Sequence, residues 1–214
     1  MSTRAPSVLR LVPAPAGQTP TTEPGDPELV VRALRADARA VELLFRRYAP
    51  SVIALATRLL RDRVEAEDVA QETFLIALGS LDALRDPSAV RAWLYQIAVR
   101  QVHRRFRRQR LLRALGLAPR RNEASGAATG LDELASSDAS PETRSELALL
   151  DHTLSRLDVE SRTAWMLRFV EGLKLEEVAE ACGCSLATVK RRIAAADEVV
   201  RKRVRLEVEA GDER

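Results

Sequence analysis

A chain of 214 residues, 46% hydrophobic but only 4% aromatic, has to build its cores from Leu, Val and Ala, a composition that favours helices over sheets. Lys and Arg number 34 against 31 Asp and Glu, yet the sequence pI is about 9.2 and the cations are bunched, which points to a polyanion contacted at chosen places rather than to a wholly cationic binder. No stretch of about 18 apolar residues is present to span a membrane. The opening MSTRAPSVLRLV lacks the apolar core of a secretory signal and runs on into Pro-rich sequence, so residence in the cytoplasm is expected.

Residues 1–26 are rich in Pro, Thr, Ala and Gly without apolar periodicity and read as a disordered tail. Pro27 can start a helix and Asp37 can cap the next, in which Val41, Leu44, Phe45 and Tyr48 recur at helical spacing until Pro50 ends the segment. A third helix, Ser51 to Arg61, would bury Val52, Leu55, Ala56 and Leu59. A fourth, Val64 to Leu81, would bury Val69, Ala70, Phe74, Ala77 and Leu78. After a break at Asp82 to Pro87 a long helix runs from about Ser88 to Arg113. Five helices with short connections make a compact all-helical bundle.

The last of these helices changes character along its length. Its first half turns Val90, Leu94, Ile97 and Ala98 inward, whereas Arg100 to Arg113 carries seven arginines, one histidine and no acid. A solvated flank or an anionic membrane contact would also fit such a run, but no broad apolar face accompanies the arginines, so nucleic acid is the better partner. Trp93, Gln96, Arg100, His103 or Arg104, and Arg107 fall three to four apart on one face. That sets an aromatic and an amide beside cations, as a surface that stacks unpaired bases while holding their phosphates requires. A core tryptophan is the competing reading of Trp93, and the sequence does not choose between them.

Residues 114–141 lose periodicity and gather Gly, Ala, Ser and Asp, as a linker does. Order resumes with Leu147, Leu150, Leu154 and Leu157 on one helix and Ala164, Leu167 and Phe169 on another. Then comes LKLEEVAEACGCSLATVKRRIAAADEVVRKRV, Leu173 to Val204. Leu175 to Ala181 has Val178 and Ala179 inside, Gly183 suits a turn of positive φ, Ser185 can cap the following helix, and Val189 and Ile193 give that helix its buried face. This is the pattern of a helix-turn-helix, whose second helix offers Thr188, Arg191 and Arg192 near its start to the edges of bases in the major groove. Cys182 and Cys184 flank the glycine. A zinc site would need two more ligands, and the only histidines are His103 and His152, so the cysteines read as small hydrophobes and no metal is expected. The end, 207–214, is a short acidic tail.

Two helical modules, a tether, an aromatic and basic single-strand face, and a duplex-reading motif together resemble a bacterial sigma factor of the sigma-70 family, in its extracytoplasmic-function group. The resemblance rests on LFRRY at Leu44 to Tyr48, EAEDVAQETF at Glu65 to Phe74, AWLYQIAV at Ala92 to Val99, and LRFVEGLKLEEVAEACGCSLATVKRRI at Leu167 to Ile193. It implies two small all-α domains, region 2 at 27–113 and region 4 at 142–206, and a partner in core RNA polymerase, met at the clamp helices of the largest subunit and at the flap. It assigns Asp68, Gln71 and Glu72 to the clamp helices, a placement their i, i+3 and i+4 relation allows. It assigns Trp93, Gln96, Arg100, His103, Arg104 and Arg107 to the melted minus-10 strand, with the break at Leu84 to Ala89 capturing a flipped base. Ser185, Ala187, Thr188, Lys190, Arg191 and Arg192 take the minus-35 duplex. The resemblance further implies an anti-sigma factor or other regulator and a monomeric free protein.

This chain departs from the family pattern at Asp158, where relatives often have proline, at Arg191, where serine is common, and at Asp86-Pro87 and Arg100. The last two bear on minus-10 preference and Arg191 on minus-35 preference. A dimeric helix-turn-helix regulator is the alternative, but it would need a symmetric interface or a ligand pocket. No Gly-rich phosphate loop, metal-ligand cluster or nucleophile-base pair stands in a recognisable motif, so neither an enzyme nor a cofactor is expected.

Overall fold

The computed structural model describes residues 24–117 and 140–212, with side chains described to residue 203. The chain divides into two compact units, one on either side of the stretch between those ranges, and every regular element among the described residues is helical. Residues 1–23 of the expected N-terminal tail, and all of the linker but its two ends, lie outside the described residues; the last residue of the expected tail, Asp26, instead opens the first helix. No helix among the described residues is long and apolar enough to cross a membrane.

The N-terminal unit holds α1 (Asp26–Leu34), α2 (Ala38–Leu60), α3 (Arg63–Gly79) and α4 (Val90–Ala114). The start of α1 is fastened to α2 by Asp26. Arg47 Nη1 donates to one carboxylate oxygen at 2.6 Å, the Tyr48 hydroxyl donates to the other, and Arg47 Nη2 reaches the Pro24 carbonyl at 3.1 Å. Burial, and then the Asp26 carboxylate, push the Tyr48 hydroxyl above its ordinary range, so it remains a donor. Asp37 caps α2 as expected, accepting from the amides of Arg39 and Ala40 at 3.0 and 3.3 Å.

Pro50 does not end a helix: α2 runs through it without interruption, so the unit has four α-helices where the sequence suggested five. A proline inside a helix costs about 3 kcal/mol. Against that, Leu44, Tyr48, Val52, Leu55, Ala56 and Leu59 lie on one continuous buried face spanning both sides of the proline. Each leucine and Val52 among them is worth roughly 1.5–3 kcal/mol if fully buried, so a break that turned the Val52 to Leu59 half into solvent would cost more than the proline does.

In α3, Val69, Ala70, Phe74 and Ala77 are buried as their spacing suggests. Two residues expected inside are not: Phe45 is 45% and Leu78 46% exposed. Both stand where the bundle leaves a gap between α2, α3 and the start of α4, so no neighbour completes their stripe. The break before α4 holds two 3-10 turns, Leu81–Ala83 and Pro87–Ala89. Asp86 caps the second, accepting from the Ser88 amide at 2.9 Å and hydroxyl at 2.7 Å. The hydroxyl and then the amide hold its carboxyl below the usual range.

The C-terminal unit holds α5 (Pro141–Ser155), α6 (Val159–Phe169), α7 (Leu175–Cys182) and α8 (Leu186–Asp212), so residues 207–212 of the expected acidic tail continue a helix. Its centre is Trp165, 1% exposed, whose Nε1 donates to Asp197 Oδ1 on α8 at 3.1 Å and whose ring meets Phe169 with centroids 5.0 Å apart. Leu154, Leu167, Val178, Val189 and Ala196 are buried nearby. Ala179, expected inside, is only half-buried, whereas Ala181, three positions beyond Val178 on the same face, is buried.

Candidate nucleic-acid interface

The turn between α7 and α8 is set by Gly183 at φ +62°. A Cβ there would meet nothing within 4 Å, so glycine is needed for the left-handed backbone and not for space. The Cys184 amide reaches back to the Ala179 carbonyl at 3.1 Å and closes α7. Ser185 then caps α8: its Oγ accepts from the Thr188 amide at 3.2 Å and lies 2.9 Å from the Thr188 hydroxyl.

These bonds sort the six expected minus-35 residues. Ala187, Lys190 and Arg191 are exposed along one face of the first turns of α8, with exposed Ser185 at its head. Thr188 is half-buried and engaged with Ser185. Arg192 is also half-buried, and its Nη1 points to Cys184 Sγ at 3.5 Å. Its charge also acts on Asp158, the N-cap of α6, which accepts from the Ser161 amide at 2.8 Å. Burial alone would raise the Asp158 carboxyl. The Ser161 amide and hydroxyl outweigh it, Arg192 adds to them, and the group lies below its usual range. Arg192 thus braces the motif from the side, while Lys190 and Arg191 face outward.

Both cysteines are free thiols and half-buried. Burial first, and then Cys184, push the Cys182 thiol up to about 12. Alkylation at neutral pH is therefore expected to spare Cys182 in the native chain and modify it in urea, as peptide mass mapping would read; equal labelling in both states would contradict the packed-hydrophobe assignment. Among the described residues no cluster of three or more His, Cys, Asp or Glu could hold a metal ion.

On α4 the expected stripe is one face, but its members differ. Arg100, Arg104 and Arg107 are exposed, while Gln96 and His103 are half-buried. Trp93 is neither wholly core nor wholly surface. It is half-buried on the rim of an apolar cleft of about 310 Å³, lined also by Phe45, Phe74, Leu78, Leu81 and Val90. Phe45 and Phe74 meet there with ring centroids 4.7 Å apart and planes tilted by 59°. One part of the indole is gripped and the rest is offered, which suits a stacking platform.

Asp68 and Gln71 on α3 are exposed and Glu72 partly so. Sequence reasoning missed their neighbour Arg105. It lies off the Trp93 stripe, its side chain is only 20% exposed, and it bonds Glu72 at 3.2 Å while standing 3.9 Å from Asp68. Only the distribution of acids on α3 against bases on α4 could have hinted at it, because the partners are 33 and 37 positions apart.

Residues 44–111 match the family model for sigma-70 region 2, and residues 147–196 match that for sigma-70 region 4. The chain is 34% identical to the RNA polymerase sigma-H factor of Pseudomonas aeruginosa over 188 residues, covering 85% of this chain and 94% of that protein. It is 33% identical to the ECF RNA polymerase sigma-E factor of Haemophilus influenzae over 190 residues, covering 84% and 95%. Among solved structures, the fold is shared with the sigma factor RpoE in complex with the anti-sigma factor NepR from Bartonella quintana, at TM-score 0.61 and 22% identity over 77% of this chain and 96% of that one. It is also similar to CnrH in complex with the cytosolic domain of CnrY, at TM-score 0.58 and 26% identity over 85% and 97%. Two family regions in the expected order, and relatives above 30% identity along most of the length, establish that the chain belongs to the sigma-70 family, in its extracytoplasmic-function group.

Proposed function

We propose that this sigma factor acts in the cytoplasm as a dissociable subunit of RNA polymerase, with no reaction of its own. Asp68, Gln71 and Glu72 meet the clamp helices of the largest subunit, and the C-terminal unit meets the flap. Trp93, Gln96, Arg100, His103, Arg104 and Arg107 take the separated minus-10 strand. The exposed face of α8, Ser185, Ala187, Lys190 and Arg191, reads the minus-35 duplex, with Thr188 and Arg192 holding that face in shape. Neither contact need be tight alone, because tethering both units to one polymerase makes the second contact intramolecular. An anti-sigma factor is the proposed regulator, since the Bartonella quintana relative of this fold is bound to one.

The observation that carries the reading is that one chain holds both matched regions, each presenting exposed cations on a helix: Arg100, Arg104 and Arg107 on α4, Lys190 and Arg191 on α8. Run-off transcription from a genomic fragment library with core polymerase tests it. Initiation at a discrete promoter set that depends on the added chain is expected, and transcription indifferent to the chain would sink it. Within that assay Arg191→Ala is expected to relax minus-35 selectivity by about 1–3 kcal/mol, the worth of one bidentate base contact. An unaltered selection profile on randomised promoters would remove Arg191 from base reading.

A further inference from the structure

Three acids of α3, Glu65, Asp68 and Glu72, are spaced i, i+3 and i+7 and meet the basic half of α4. Glu72 is engaged twice: Oε2 accepts from Arg104 Nη2 at 3.2 Å, and Oε1 from Arg105 Nη2 at 3.2 Å. Glu65 instead accepts from the Gln109 amide nitrogen at 3.2 and 3.3 Å. The two arginines differ. Arg105 is pinned between the helices, whereas the Arg104 side chain is 64% exposed and bonded to Glu72 through Nη2, an outward cation held by an acid.

We propose that Glu72 is a shared counter-ion linking the two surfaces of the N-terminal unit. In the free chain it neutralises Arg104. When a cation of the polymerase engages Glu72, Arg104 is released to a strand phosphate, while Arg105 holds the carboxylate in position. This rests on the reading of Asp68, Gln71 and Glu72 as polymerase-facing and of α4 as strand-facing. The single negative charge of Glu72 is already shared by two arginines of α4, so an incoming cation weakens its hold on Arg104, the more exposed of the two. By the same linkage a phosphate that takes Arg104 leaves Glu72 more available to polymerase: each partner favours the other by an equal factor. A largely exposed ion pair is weak, which is what a releasable one requires.

The full-length chain tests this by filter binding to a single-stranded oligonucleotide at low salt. Glu72→Gln is expected to raise affinity about three- to tenfold and to steepen the dependence of log K on log salt by about 0.7, the increment for one phosphate contact on a single strand. In an Arg104→Gln background the same change should give no gain. Glu65→Gln removes an equal charge from the same helix where no arginine is bonded, and should gain less than about twofold. Equal gains from Glu65→Gln and Glu72→Gln, or a gain that survives in Arg104→Gln, would overturn the release of Arg104. Affinity for core polymerase is read separately. Glu72→Gln and Gln71→Ala should both weaken it, and no loss from either would sink the polymerase side, and with it the linkage, whatever the DNA result.

Discussion

Trp165→Ala is expected to unfold the C-terminal unit. The indole is the largest fully buried side chain of the unit and bridges α6 to α8 through its bond to Asp197. Truncating a buried tryptophan costs about 3–5 kcal/mol, a large part of the roughly 5–15 kcal/mol that holds a whole domain together. In a unit this small each kcal/mol moves the midpoint by about 4–8 °C, so the transition should fall by at least about 12 °C or disappear. Trp165→Phe keeps most of the apolar contact and loses the N–H donor, so its cost should be nearer about 1–3 kcal/mol. Thermal unfolding followed by far-ultraviolet circular dichroism reads both. A midpoint within a few degrees of the parent for Trp165→Ala would mean that the unit is not organised on this residue.

Trp93→Ala is expected to impair strand opening at promoters by roughly 5- to 150-fold while leaving polymerase binding in place. Extruding a base costs a few kcal/mol, and stacking on an aromatic returns about 1–3 kcal/mol per base, so losing the platform removes most of that offset. Because the indole also lines the cleft with Phe45 and Phe74, alanine would enlarge an apolar gap as well. Folding and function are therefore read apart. Trp93→Phe should keep the cleft filled and recover part of the opening, and the melting midpoint identifies any variant that is merely unstable. Permanganate reactivity of the minus-10 thymines is the direct measure, and full reactivity with Trp93→Ala would take this residue out of the melting surface.

What the sequence made legible is what neighbours in the chain decide. The caps at Asp37 and Ser185 and the positive φ of Gly183 follow from residue type and spacing, because a cap bonds an amide two or three positions away. Pro50 misled for the opposite reason: its local penalty is real, but the buried stripe from Leu44 to Leu59 belongs to the assembled bundle. Phe45 and Leu78 carry the periodicity of core residues and yet line an open cleft, since a stripe reveals which face is apolar and not how far a neighbour extends over it. Ala179 and Ala181 are likewise the same residue type, and only the packing around α7 decides that the second is the buried one. The site shows the same division. Its exposed cations were readable from composition and phase, whereas the retreat of Arg192 to Cys184 and the Arg105 bridge depend on partners that no local pattern marks.

The protein has two tryptophans, and the fold assigns one to each unit in contrasting surroundings. Trp93 shares its ring with solvent, so its emission should lie to the red and respond to any base laid on it. Trp165 is enclosed, so its emission should lie to the blue and report only whether α6 and α8 remain together. The natural chain thus carries an optical channel for each half, and the strand capture proposed for one unit can be timed against the integrity of the other without attaching a dye.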